Sequence, residues 1–286
     1  MRRREFLKTA AVVAGAGAAG WGGALTSLAR SPQPARAAPA GEAIIDRVAR
    51  AGKVRLGVDL TFPPLQFRDP KTQQPTGYCV EISKAIAADL GVQIEWVELP
   101  FAQLIPAMLA GRFDWSGIGL TITPERAKSV RFIDEPLFTE DSVLLIPRDF
   151  TLRRLEDLNT PSVTISNLVG SAQDATARLL WPRARFKPLQ QQEAMLEVAS
   201  GRAQACLVAA WVAVPFAEQN RNVRIWEGGS VIHDVNTVML PHGDEKTAYW
   251  LANWFRYHGA HRLPEGLWKK WLGEFLAKIQ RFSRPR

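Results

Sequence analysis

The chain has 286 residues, 47% of them apolar and 22% charged, which is the composition of a globular protein long enough for one large domain or two ordinary ones, so disorder is excluded for its bulk. A formal net charge of +8 raises the question of nucleic-acid binding. The excess lies at one end, however: residues 1–37 hold Arg2, Arg3, Arg4, Lys8, Arg30 and Arg36 against Glu5 alone, a net +5, and the +3 that remains forms no dense basic run. No nucleic acid is expected as a partner.

The first segment opens with Arg2-Arg3-Arg4-Glu5-Phe6-Leu7-Lys8 and continues into a run of Ala, Gly and Val. That order resembles a twin-arginine export signal, and Ala35-Arg36-Ala37 offers small residues where a signal peptidase cuts, so residues 1–37 are expected to be removed before Ala38. The resemblance implies a periplasmic product exported by the twin-arginine route. Residues 38–43 belong to a proline-rich linker. Gly15 to Gly20 matches G-x-G-x-x-G, yet no strand precedes it and a linker follows, so it is read as a by-product of Ala/Gly composition. No other stretch has the ~18 apolar residues of a membrane span.

Folded structure is expected from Ile44. Val54, Leu56 and Val58 alternate as in a strand; Ile82, Ala85, Ile86 and Leu90 repeat with helical spacing; Gln93–Leu99 is a second strand. A helix through Leu104, Ile105, Met108 and Leu109 ends at Gly111 and leads to a third strand before Thr121. Strand and helix in alternation predict an α/β fold with a mostly parallel sheet. Aligning Gly111-Arg112 with Gly201-Arg202 places that helix over Ala194, Met195, Val198 and Ala199, the mark of two similar lobes. The second lobe carries strands at Ser162–Ser166 and Ala205–Ala209; Val143–Ile146 and Thr237–Leu240 lead into and out of it. A helix through Trp250, Leu251, Trp254 and Phe255 and a last helix with Leu267, Trp268, Trp271, Leu272, Phe275, Leu276 and Ile279 on one face close the chain.

Neither a phosphate-binding G-x-x-x-x-G-K-[ST] loop nor a G-x-S-x-G nucleophile turn occurs. His258 and His261 share a helical spacing, but Gly259 and Pro264 are expected to break that region, and no metal site is assigned. Cys79 and Cys206, the only cysteines, are read as two buried free thiols. The informative stretch runs from Asp114 to Phe132. Gly117 and Gly119 flank a small-residue strand end, Thr123 can cap the turn that Pro124 starts, and Arg126 follows three residues beyond the cap. Glycine admits a ligand to the backbone, threonine offers a hydroxyl, and a guanidinium grips a carboxylate with two donors.

With those residues in view, the chain resembles the polar amino-acid family of bacterial solute-binding proteins, the periplasmic receptors of ATP-driven importers. Four segments carry the likeness: Asp59-Leu60-Thr61-Phe62-Pro63-Pro64, Gly77-Tyr78-Cys79-Val80-Glu81-Ile82, Gly119 to Arg126, and Lys270-Trp271-Leu272-Gly273. The resemblance implies a two-lobed periplasmic-binding-protein fold, each lobe a mostly parallel sheet flanked by helices, with two connecting strands as hinge. Lobe 1 comprises residues 44–147 and 235–286, and lobe 2 residues 148–234. It implies a monomer that needs no cofactor, binds an amino acid or related small carboxylate, and delivers it to the permease and ATPase subunits of an ABC transporter. Carried over by position, Arg126 holds the α-carboxylate, Gly119 and Thr121 add backbone and hydroxyl bonds, Phe62 packs on the ligand and Asp59 faces its side chain. Gly170 and Ser171, at a helix start in lobe 2, complete the carboxylate's shell.

One departure bears on specificity. After Gly201-Arg202-Ala203-Gln204-Ala205 the family pattern has the acid that pairs with the ligand's ammonium group; here Ala209 stands there. Asp174 or Asp59 could substitute, or Trp211 could offer its ring to a cation; otherwise the solute is a carboxylate without an ammonium. The same fold serves periplasmic dehydratases of the cyclohexadienyl or arogenate type, for which Asp174 is the candidate general acid, and sensory modules. The leading expectation is a non-catalytic binding protein.

Overall fold

The computed structural model describes residues 41–280; the expected export signal and the Gly15–Gly20 match lie outside them. A helix over Ile44–Ala51 opens the fold and hands the chain to a strand, Lys53–Val58, in which Val54, Leu56 and Val58 are buried. This strand is the centre of a three-stranded parallel sheet, flanked by Gln93–Glu98 on one side and Trp115–Ser116 on the other. The helices Tyr78–Leu90 and Leu104–Leu109 make the crossovers that parallel pairing requires. Ile82, Ile86, Leu104, Met108, Phe113 and Trp115 fill the space between sheet and helices. Trp115 is thus a core residue, 1% exposed.

In lobe 2 the strands Thr164–Leu168 and Arg185–Leu189 pair in parallel, and the bridge from Ile165 to Ala205 joins them to Cys206–Ala209. The first of these begins two residues later than expected because Pro161 and Ser162 turn the chain. The repeat read from sequence reappears as geometry. The helices Leu104–Leu109 and Gln191–Ala199 each end at a glycine with positive φ, 68° at Gly111 and 73° at Gly201. Gly111 and Arg112 donate to Met108 and Ala107 as Gly201 and Arg202 donate to Val198 and Glu197. A residue with a Cβ is strained in that left-handed cap.

Two strands cross between the lobes. Phe138–Pro147 starts five residues before the apolar run that betrays it in the sequence, because Thr139, Glu140, Asp141 and Ser142 are polar. Ile232–Thr237 runs back antiparallel to it, pairing Asn236 with Phe138, Asp234 with Glu140 and Ile232 with Ser142. Beyond Ser142 the first crossing strand is covered on both faces: Val143 and Leu145 enter one core with Met195, Val198 and Phe216, while Leu144 and Ile146 enter a second with Leu158, Ile165 and Trp181. Alternation with period two in a strand buried on both sides gives this division.

The helices Glu245–Ala260 and Leu263–Gln280 return to lobe 1, where Leu251, Trp254, Phe255 and Leu272 join its core and Trp268 meets Tyr78 edge-on at 5.0 Å. Contrary to the expectation from sequence, Gly259 does not break the first of them. It lies in the last turn, and the reversal falls at Arg262, φ 61°. The His258 ring lies tilted against Trp254 at 4.3 Å and bonds Asp89 at 2.7 Å, and among the described residues no group of His, Cys, Asp and Glu is placed to hold a metal.

Candidate functional site

A cavity of about 50 Å³ lies where the two lobes meet at the crossing strands. Aromatic rings form much of its wall: Phe62 and Phe101 from lobe 1, Phe138 from the first crossing strand and Trp211 from the helix Ala210–Gln219. Phe62 lies 5.9 Å from Phe101 and 6.4 Å from Trp211, so the rings form a continuous apolar surface.

At its floor is Glu140, a residue the sequence reading passes over. Within the crossing strand, Phe138, Glu140, Ser142 and Leu144 share one face, and the antiparallel register brings Asp234 and Asn236 beside them on the same face. Glu140 is 7% exposed, and both of its oxygens are engaged: Trp211 Nε1 donates to Oε2 at 2.9 Å and Gln173 Nε2 to Oε1 at 3.0 Å. Gln173 also donates to Ser142 Oγ at 3.1 Å. Burial pushes the Glu140 carboxyl up to about 7, and the neighbouring Asp234 adds to the rise against the pull of the Trp211 and Gln173 bonds. It is the one ionisable side chain among the described residues that line the cavity.

Three polar atoms around the cavity are buried without a hydrogen-bond partner: Gln66 Oε1, Gln191 Nε2 and Asn236 Nδ2. Asn236 accepts from Thr121 Oγ1 at 3.1 Å through its other amide atom, and its Nδ2 lies near enough to Glu140 to lower that carboxyl's pKa without meeting hydrogen-bond geometry. Buried polar groups in folded proteins are nearly always paired, and one left unpaired costs about 1–3 kcal/mol. Donors from lobe 2 and the crossing strand together with an acceptor from lobe 1 give the cavity the complement of a solute bearing both kinds of group.

The residues singled out from sequence are distributed unevenly around this cavity. Phe62, Gly119, Thr121, Ser171 and Trp211 line it. Gly119 is needed there for close approach: a Cβ would come within 2.7 Å of the Phe138 ring and 3.2 Å of Asn236. Arg126 stands at the rim. Thr123 caps the short helix Pro124–Ala127, accepting from the Arg126 amide at 3.1 Å, and the guanidinium donates to Thr121 O at 2.8 Å and across the cleft to Gly170 O at 3.0 Å, 5.6 Å over the Phe101 ring. Burial lowers its pKa, opposed by Asp234 and Glu140, and a guanidinium stays charged regardless. Gly170 contributes that carbonyl. Ser171 caps the helix Ala172–Leu180 by accepting from the Asp174 amide at 3.0 Å, while its own N–H is spent on Leu168 O at 3.1 Å.

Two acids lie elsewhere. Asp59 accepts from the Thr61 amide at 3.0 Å and its hydroxyl at 2.6 Å, capping a turn beside a separate groove with Glu98 and Pro100. Asp174 pairs with Arg178 at 3.0 Å, one turn along its own helix. Neither is among the residues lining the cavity. Ala209 does line it, and Glu140 occupies the floor two register positions from Ser142, the strand partner of Ala209.

The relatives agree with this architecture. The L-arginine-binding protein of Pseudomonas aeruginosa is 31% identical over 160 residues, 53% of this chain and 59% of that one. The arginine-binding extracellular protein ArtP of Bacillus subtilis is 28% identical over 185 residues, 64% of this chain and 69% of its own. Among solved structures, the ancestral amino acid-binding protein AncCDT-1, a precursor of cyclohexadienyl dehydratase, superposes with a TM-score of 0.72 at 31% identity, covering 80% of this chain and 99% of that one. A mutant of ArgBP from T. maritima does so with 0.73 at 26%, with the same coverage. The sequence model of one family matches residues 54–281, nearly all of the folded part, and the chain therefore belongs to the bacterial extracellular solute-binding proteins, family 3.

Proposed function

We propose that this chain is the periplasmic substrate-binding component of an ABC importer, which closes its two lobes on a small polar amino acid. The observation that carries the reading is the set of buried, unpartnered atoms of Gln66, Gln191 and Asn236 converging on an aromatic-walled cavity between the lobes. Each is stabilised when a solute supplies the missing bond. The free volume of about 50 Å³ admits a few waters, so a whole amino acid enters only with the lobes further apart, and the crossing strands are the hinge.

In this reading Arg126, already reaching both lobes, trades a carbonyl contact for the solute's carboxylate, with the Gln191 and Asn236 amides as further donors. Relatives named for arginine and histidine binding support an amino acid as the ligand. Residues 1–37 direct export by the twin-arginine route. Because no described helix is long and apolar enough to cross a membrane and no phosphate-binding loop occurs, separate permease and ATPase subunits complete the importer. The protein acts as a monomer.

The test is thermal stabilisation of the purified protein by a panel of amino acids and other small carboxylates. Arg126→Ala is expected to abolish the stabilisation seen with the wild type; an unchanged shift refutes the clamp. A second reading, a dehydratase, has one observation in its favour, a buried acid held partly protonated near neutrality. That acid is Glu140 rather than Asp174, and formation of an aromatic product from prephenate would establish it.

A further inference from the structure

We infer that Glu140, with the unpartnered Oε1 of Gln66, receives an N–H-bearing cation of the solute, a protonated amine or a guanidinium. The inference rests on the amino-acid-binding reading above and specifies the chemistry it selects.

Three observations support it. First, the cavity's lining contains a carboxylate and no cation, and four aromatic residues, Phe62, Phe101, Phe138 and Trp211, take part in it, the residue type whose rings attract positive charge. Second, Gln66 is 5% exposed and its carbonyl oxygen has no donor, although it borders the same space. A carboxylate and an amide oxygen are both acceptors, so what satisfies them carries hydrogen-bond donors, and beside a carboxylate a protonated amine or a guanidinium supplies donors and charge together; a quaternary ammonium has no donor. Third, Glu140 and Asp234 are direct neighbours across the crossing strands, with the Arg126 guanidinium as the nearby cation that both acids influence. Ionised, the three carry one net negative charge, and a solute of net +1, a basic amino acid, closes the balance.

Asp234 reinforces the point. Its Oδ2 is buried without a partner, and like charges opposite one another in a sheet are destabilising unless a cation intervenes. Besides Asp234 and Arg126, the groups facing Glu140 are Cys79 from the helix Tyr78–Leu90, whose own thiol is pushed up to about 12 by burial, and the neutral donors Trp211, Gln173 and Asn236. Because Glu140 is half protonated near neutrality when the site is empty, a cation binding there expels a proton, and affinity falls as the pH drops below 7.

The experiment is calorimetric titration of the wild type and Glu140→Gln with L-arginine, L-citrulline and Nα-acetyl-L-arginine at about pH 8 and about pH 5.5. Wild-type affinity for L-arginine is expected to fall roughly thirty-fold between these pH values, and Glu140→Gln to lose at least about thirty-fold at the higher pH and to lose the pH dependence. The two analogues tell the sources apart: weaker binding of citrulline places the side-chain cation on Glu140, weaker binding of the acetylated compound the α-ammonium. If L-arginine binds the wild type with no pH dependence and Glu140→Gln binds it equally, the inference is overturned while the importer reading stands. Preference for an acidic or uncharged carboxylate over all three overturns it as well. Failure of every amino acid in the wider panel removes the importer reading and this inference with it. Should the variant not fold, the wild-type pH profile and the analogues decide alone.

Discussion

Glu140→Gln also makes a prediction about the empty protein that runs opposite to its effect on binding. A glutamate in an unfolded chain ionises around 4.5, whereas burial in the cleft raises Glu140 to about 7. Its folded-state pKa is raised, so its contribution to stability is fully present below 4.5 and is lost as the pH climbs from there through 7. A shift of this size corresponds to about 3 kcal/mol, which the ligand-free wild type forgoes at pH 8 in order to keep a charge in place. Glutamine fills the same space without the charge. Trp211 Nε1 can donate to its carbonyl, and Gln173 can turn its amide over to accept from the new NH₂ group while Ser142 Oγ rotates to donate, so no donor is stranded. The ligand-free variant is therefore expected to be more stable than the wild type by about 3 kcal/mol at pH 8, roughly 6–12 °C in Tm for a domain of this size. The gain should vanish near pH 4.5. Urea denaturation followed by tryptophan fluorescence across that range measures both, and comparing the two proteins at each pH cancels the titration of Asp59, which lies away from the cavity. Equal stability at pH 8, or a variant weaker than the wild type there, would refute the account of Glu140 as a charge held at a cost in a desolvated site.

Three other outcomes are expected. Asp114, 1% exposed, accepts from Arg47 and Arg55 guanidinium groups at 2.7 Å each and from the Arg55 amide at 2.8 Å; Asp114→Ala removes all three bonds, leaves the Arg55 guanidinium its bond to Gly111 O, and should cost about 1.5–3 kcal/mol in urea denaturation without altering solute preference. Gly119→Ala drives a methyl into the Phe138 ring, so it should lower stability by about 1–3 kcal/mol and weaken solute binding, both readable from one thermal-shift series with and without ligand. Cys79 and Cys206 are unbonded and buried, and burial raises both thiols, so a thiol reagent should label neither in the native protein and both after denaturation; labelling of the native state would contradict their packing.

The linear order of the chain settles a good deal. The apolar alternation of Val54, Leu56 and Val58, the helical spacing of Ile82 and Ile86, and the Thr123-Pro124-Arg126 turn are local, because periodicity and capping depend on residues within a few positions of one another. They place Arg126, Thr121 and Phe62 near a cleft and suffice to recognise the family. Asp59 and Asp174 illustrate the limit of such reasoning: each is an acid beside a plausible loop, and each is held by a neighbour in sequence, Thr61 or Arg178, rather than by the cavity. A trace of Glu140 was present in the sequence, since it shares strand parity with Leu144 and Ile146, whose burial the apolar run announces. What parity leaves open is which partner strand lies alongside and in which register. That pairing, of Phe138–Pro147 with Ile232–Thr237, joins residues about ninety positions apart, and together with the apposition of the two lobes it brings Gln66, Gln191 and Asn236 around one acid. Long-range register is fixed by burial of whole sheet faces, so the chemistry of the cleft belongs to the tertiary structure, whereas the elements that frame it belong to the sequence.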